Sequence, residues 1–235
     1  MAITNGYCTQ DELKTFVGIP TSDTADDTLI DDAVNAASRQ IDAFCGRYFY
    51  ADGSASARKF FTNDLYRLRV DDISTTTGLV VKYDDDDDGT YETTVASSDY
   101  QVLPINGIVG GITGNPYYIV ELISDGNHEW PLDYSSNRPR AEITANWGYA
   151  SVPNQIKQAT LMLASELFAM RNAPLGVAGV GDFGVVNIQQ NREITRLIAP
   201  FRKGTVLGVS QSRSGSLLHY LELYRSNEVH LCCQQ

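Results

Sequence analysis

Cysteine is scarce in this chain, and its few copies are poorly placed for bonding. Cys8, Cys45, Cys232 and Cys233 have the spacing of neither a disulfide framework nor a zinc site, and the adjacent pair makes a poor bridge, so reduced thiols in a cytosol are expected. Histidine is scarcer still. His128, His219 and His230 stand far apart, none lies in H-E-x-x-H, and no G-x-S-x-G elbow accompanies them. No stretch approaches the roughly 20 apolar residues of a membrane-spanning helix. The N-terminal Met1-Ala2-Ile3-Thr4-Asn5 lacks the basic-then-apolar order of a signal peptide, and a chain that stays in the compartment where it is made is expected. Basic residues are outnumbered, with 18 Lys+Arg against 29 Asp+Glu and a net charge of −11. That balance argues against tight wrapping of nucleic acid, which needs clustered cations, but leaves room for a protein that sits beside DNA without sticking to it. There is no internal repeat.

What is present is ordinary globular material, 43% hydrophobic and 20% charged, arranged in two textures. Helical periodicity occupies both ends of the chain. Thr9-Gln10-Asp11-Glu12 is a capping box that opens a short helix with Leu13, Phe16 and Val17 on its apolar face, and Gly18 and Pro20 end it. A long helix follows from about Asp26 to Cys45, with acids at its start and Gly46 as a left-handed cap. Its Ile30, Val34, Ala37, Ile41 and Phe44 fall at three- and four-residue steps. A second long helix runs from about Pro153, read as its first residue, to Arg171. Ile156, Ala159, Leu163, Leu167 and Met170 form its seam, with Leu161, Met162 and Phe168 widening the apolar surface. A last helix, about Gln190 to Ala199, carries Ile194, Leu197 and Ile198, with Arg192, Arg196, Arg202 and Lys203 around it.

Between the long helices the period changes to two. Lys59–Phe61, Tyr66–Val70, Gly78–Tyr83, Tyr117–Leu122 and Arg140–Trp147 read as short strands separated by Asp-Gly, Asn-Gly and Gly-Gly turns, indicating a small antiparallel sandwich or barrel. The fold class is therefore α+β: a split helical core, with two long helices and shorter ones, and an inserted antiparallel β domain. The helical core takes residues 1–55 and 148–203, the latter including a C-terminal arm. The β domain takes 56–147, and a Ser-rich tail with a short apolar piece, 204–235, stays unassigned. The helical seams are most simply core. Their breadth also raises a rival reading, in which Ile30, Val34, Ile41, Leu163 and Leu167 form part of a subunit interface.

Two motifs invite chemistry. Asp84-Asp85-Asp86-Asp87-Asp88-Gly89 begins like a calcium loop, with Asp84, Asp86 and Asp88 as alternate carboxylates and Glu92 as an extra ligand. The twelfth position is Val95 rather than Glu, and strands flank the run, so an acidic hairpin tip is the plainer reading and a weak divalent cation the sharper one. No other cofactor is indicated. Gly179-Val180-Gly181-Asp182-Phe183-Gly184 matches G-x-G-x-x-G, but it follows a helix and Pro174 rather than a strand and lacks every other kinase element. It reads as part of a Gly-rich loop over 175–187.

The order of these pieces resembles the head–tail connector (adaptor) proteins of long-tailed bacteriophages. Leu29 to Arg47 is similar to the family's first long helix with its Cys-Gly-Arg-like exit. Asp84 to Glu92 followed by Asp99-Tyr100 is similar to the acidic hairpin and strand of the inserted domain. Trp147-Gly148-Tyr149-Ala150-Ser151-Val152-Pro153 leading into Ile156–Ala159 and on to Arg171, and Phe183-Gly184 through Ile194, Leu197 and Pro200-Phe201-Arg202, complete the resemblance, which ends near Lys203. The segment from about Thr205 departs from a compact adaptor.

That resemblance implies a structural virion protein and no enzyme. It implies a ring, commonly of twelve copies, docked under the portal protein in the neck between capsid and tail and assembled in the host bacterial cytoplasm. Such a ring extends the DNA channel, passes double-stranded DNA without sequence-specific binding, and offers a platform to a downstream neck or tail protein. Within that frame Phe183, Arg192, Arg196, Phe201 and Arg202 are candidates for the portal contact. Asp26, Asp27 and Asp31 are candidates to face the channel, where like charge would let phosphates slide. The alternatives are a calcium-dependent β binding module, or another neck part such as a stopper or tail terminator. Those neck parts are usually smaller and built mainly on a β barrel, which the long helices disfavour.

Overall fold

A computed structural model describes residues 2–124, 127–132, 137–170 and 191–203. Among them are four α-helices, α1 (Gln10–Val17), α2 (Asp27–Cys45), α3 (Asn154–Ala169) and α4 (Arg192–Ile198). Six strands lie between α2 and α3: β1 (Ser56–Phe60), β2 (Arg67–Tyr83), β3 (Thr93–Val95), β4 (Tyr100–Leu103), β5 (Tyr117–Leu122) and β6 (Ala141–Trp147). The chain is α+β, with a helical core interrupted by an antiparallel sheet. No helix among the described residues is long and apolar enough to cross a membrane.

The capping box at Thr9 forms in full. Glu12 N–H donates to Thr9 Oγ1 (3.2 Å) and Thr9 N–H donates to Glu12 Oε2 (3.0 Å), which satisfies two donors that a helix start leaves over. The face of α1 differs from expectation. Leu13 is buried, but Phe16 is 45% exposed and Lys14 only 1%. The Lys14 ammonium donates to the Asp23 carbonyl (2.7 Å) and pairs with the Asp27 carboxylate, closing the turn between α1 and α2.

Helix α2 buries Ile30, Val34, Ala37, Ile41 and Cys45 against Ile156, Ala159, Leu163 and Ala164 of α3. Pro153 stands just before α3 in extended conformation rather than as its first helical residue. Ile194 and Ile198 of α4 and Phe201 beyond it complete this core. Phe49 is its aromatic hub, with ring centroids 4.9 Å from Tyr149, 5.7 Å from Tyr7 and 5.9 Å from Phe201. Cys8 and Cys45 are buried here as free thiols, and burial pushes both up to about 12. Cys232 and Cys233 lie outside the described residues.

The strands form one six-stranded antiparallel sheet, in the order β1-β6-β2-β5-β4 with β3 on β2. The stretches Tyr66–Val70 and Gly78–Tyr83 are not two strands joined by a turn. They belong to β2, which crosses the polar Thr75-Thr76-Thr77-Gly78 with register shifts on either side of Thr75. The strand changes neighbours there, pairing β5 through Arg67–Ile73, β6 from Ile73 onward and β3 through Val81–Tyr83, as bulges allow. Along β6 burial alternates strictly: Ala141, Ile143, Ala145 and Trp147 face the sheet's own apolar core and Glu142, Thr144 and Asn146 do not.

Strand β6 runs into α3 through Gly148, at φ 100°, where a Cβ would overlap the Tyr50 carbonyl. Gly148 N–H donates to the Asp72 carbonyl (2.6 Å) and Asp52 N–H to the Trp147 carbonyl (2.8 Å). Arg47 reaches Asp72 (3.4 Å) and donates to the Tyr149 hydroxyl (2.9 Å). Sheet and helices are thus seamed by backbone bonds and a mostly buried ion pair.

Candidate functional site

The acidic turn after β2 brings together the carboxylates that the sequence singled out. One oxygen from each of Asp84, Asp86, Asp88 and Glu92 lies within 4.8 Å of the others. Asp84 is fully buried, and its two oxygens accept from Asp87 N–H (2.7 Å) and Gly89 N–H (2.9 Å). Arg140, which sequence reasoning missed, makes that burial tolerable. Its guanidinium donates to the Asp84 carbonyl (2.9 Å) and the Asp85 carbonyl (2.8 Å) and stands 4.0 Å from the Asp84 carboxylate. A buried charge needs such a partner. Asp88 accepts from Thr90 N–H (2.6 Å), which holds its carboxyl below the usual range. Glu92 accepts from Asp85 N–H (2.9 Å). An all-oxygen set of this kind suits a hard cation, but Asp84 already spends both oxygens on folding the turn.

Helix α4 starts at Asn191, whose Oδ1 accepts from the N–H groups of Glu193 and Ile194 (both 3.2 Å) and whose Nδ2 donates to Glu166 (2.6 Å). Arg192, Arg196 and Arg202 are exposed along and beyond it. Arg196 pairs with Glu193 at 3.1 Å in the open, a contact worth little. Arg202 lies over the Phe44 ring at 5.6 Å. Phe201, expected at a partner contact, is instead buried against Phe49, because the turn of 3-10 helix at Ala199–Phe201 folds it inward. Phe183 and the Gly-rich loop lie outside the described residues.

Asp26, Asp27 and Asp31, at the start of α2, are half-buried. Asp27 is tied to Lys14, and Asp31 accepts from Gln10 Nε2 (2.8 Å). The residues expected at a subunit interface lie in or against the core of the single chain. Ile30, Val34, Ile41 and Leu163 have no exposure within one chain, and Leu167 packs partly buried against the same core. With α1 and α4 added to the α2–α3 pair, the chain itself covers Ile30, Val34, Ile41 and Leu163, and Leu167 keeps part of its surface.

The sequence matches no protein-family model, and no curated protein matches it significantly. Solved structures do share its fold. A chain from the neck of an empty gene transfer agent particle, computed with sixfold symmetry, aligns with a TM-score of 0.52 at 19% identity, covering 88% of this chain and 95% of that one. A chain from the virion of a native gene transfer agent particle aligns with a TM-score of 0.51 at 21% identity over the same shares.

Proposed function

We propose that the chain is the head–tail connector, or adaptor, of a phage-like particle, a structural part rather than an enzyme. The observation that carries this reading is the fold shared nearly end to end with a chain in the neck of a gene transfer agent particle. The sequence layout supports the same family independently. In this role the chain forms a closed ring in the neck of the virion, assembled in the host cytoplasm. It docks beneath the portal, continues the DNA channel, and receives the next neck or tail protein. Twelve copies are compatible with the sixfold symmetry of the related neck.

The exposed Arg192, Arg196 and Arg202 are the portal-facing candidates that remain among the described residues. Asp26, Asp27 and Asp31 are the candidates for the channel wall, with Asp27 paired to Lys14. Each copy brings a net charge of −11, and an acidic wall repels phosphate instead of holding it. In cells that assemble the particle without this chain, heads and tails are expected to accumulate unjoined. Normal joined particles in its absence overturn the proposal.

The convergence of four carboxylates favours one second reading, a calcium-binding β module. Titration calorimetry with Ca²⁺ on the wild type and on Asp86→Ala separates the two. Binding present in the first and lost in the second supports the module, and no binding in either removes it.

A further inference from the structure

Residues 2–8 form neither helix nor strand, yet four polar side chains of α2 fasten them along that helix. Asn35 takes the backbone at two points, accepting from Thr4 N–H (2.9 Å) and donating to the Ala2 carbonyl (3.2 Å). Arg39 donates to the Asn5 carbonyl (2.8 Å), and Ser38 Oγ accepts from Tyr7 N–H (3.2 Å). Asp42 accepts from the Tyr7 hydroxyl. Helical spacing puts Asn35, Ser38, Arg39 and Asp42 on one stripe of α2. Gly6 lets this strap lie close, since a Cβ there would come within 2.4 Å of the Ile3 side chain and 3.0 Å of Val34.

The inner end of the strap reaches the joint between helices and sheet. The Tyr7 hydroxyl, besides donating to Asp42, accepts from Phe49 N–H (2.8 Å), and its ring packs edge-on against Phe49. Arg39 lies over the Tyr7 ring at 5.6 Å and the Tyr50 ring at 5.4 Å, and pairs with Asp42 at 3.0 Å. The Tyr50 carbonyl in turn accepts from Tyr149 N–H (3.2 Å), one of the bonds that cross the joint. The two ends of the strap are held unequally. The bonds of Ala2, Thr4 and Asn5 are exposed to water, where a hydrogen bond adds little, whereas Tyr7 is buried. A segment held weakly at one end and linked to a joint at the other opens at lower cost than the packed cores.

We propose that residues 2–8 are a conformational lock. Fastened, they hold the turn of residues 46–50, and with it the sheet, against the helices. Released, they free that joint while both cores stay folded. Native-state hydrogen exchange on the full chain tests this with Asn35→Ala. Asn35 bonds to Ala2 and Thr4 and, among the described residues, to none at the joint. Alanine is also the better helix former, so loss of α2 cannot account for an effect. Exchange is expected to quicken about fivefold, the equivalent of one lost hydrogen bond, at the amides of Thr4 and Tyr7. The same factor is expected at Phe49 and Tyr149, with Leu163 and Ile143 unchanged. A rise confined to the strap, or no rise, overturns the lock. A rise shared by Leu163 and Ile143 overturns it too, because it reports general destabilisation. Tyr7→Phe keeps the ring and removes the hydroxyl, and it should quicken exchange at Thr4 and Tyr149 alike. Unchanged exchange at either amide overturns the coupling.

Discussion

Lys14 and Arg140 show how much of this molecule turns on single cations placed out of water. Lys14 sits on the Asp23 carbonyl and the Asp27 carboxylate, and Arg140 on the carbonyls of the acidic turn. Neither was legible in the sequence, because a Lys or Arg reads as surface unless its tertiary acceptors are known. Glu12 is the opposite case: its capping role follows from local spacing alone. The structure adds a hydrogen bond and ion pair with Lys157, which holds the Glu12 carboxyl below its usual range. A carboxyl lowered on folding stabilises the native state above its unfolded value and stops doing so as the pH falls through the folded value. Wild type should therefore exceed Glu12→Gln in melting temperature at neutral pH, and the difference should vanish with acidification below about 4.5. A gap that persists at low pH would assign the effect to the cap rather than the charge.

Among the elements, long periodic stretches and the capping box of α1 are legible in the sequence, and the shortest strands are not. Helices α2 and α3 announce themselves through steps of three and four, and β6 through alternation. Strand β2 reads as two because Thr-Thr-Thr-Gly looks like a turn, whereas its pairing with β5 and then β6 carries one strand through the register shifts. Strands β3 and β4 are too short for any period to register. Periodicity also identifies which side chains are buried without saying against what. Leu163, a candidate for contact between copies, is spent on the α2–α3 seam of a single chain. Leu163→Ala should then cost about 3 kcal/mol, as a truncation in a closed core does. Measured by denaturant unfolding, that loss should be the same at every protein concentration. A loss that shrinks on dilution would return Leu163 to an interface between copies.

For the whole molecule, the joint between sheet and helices matters as much as either part. Gly148 stands where β6 becomes the approach to α3, at a positive φ and against the Tyr50 carbonyl, so no side chain fits without moving the joint. Gly148→Ala should destabilise by more than about 1 kcal/mol, and it should do so by loosening the sheet against the helices. Hydrogen exchange should rise first at the amides of Asp52 and Tyr149, which cross the joint. Unchanged protection at those amides would show that the joint tolerates the change. The layout of helix, sheet and helix was legible from the start. The outward loop at Ile108 was not, because its Gly and Asn residues read as turns and give no hint that the intervening aliphatics stay in water.

A cryo-electron-microscopy reconstruction of the complete particle that contains this chain would decide whether it forms a ring in the neck. A closed ring of copies in the neck is expected, between the capsid vertex and the tail, around an opening wide enough for a DNA duplex. A reconstruction that puts the chain elsewhere in the particle, or in the neck as a solitary subunit touching no sibling, would contradict it.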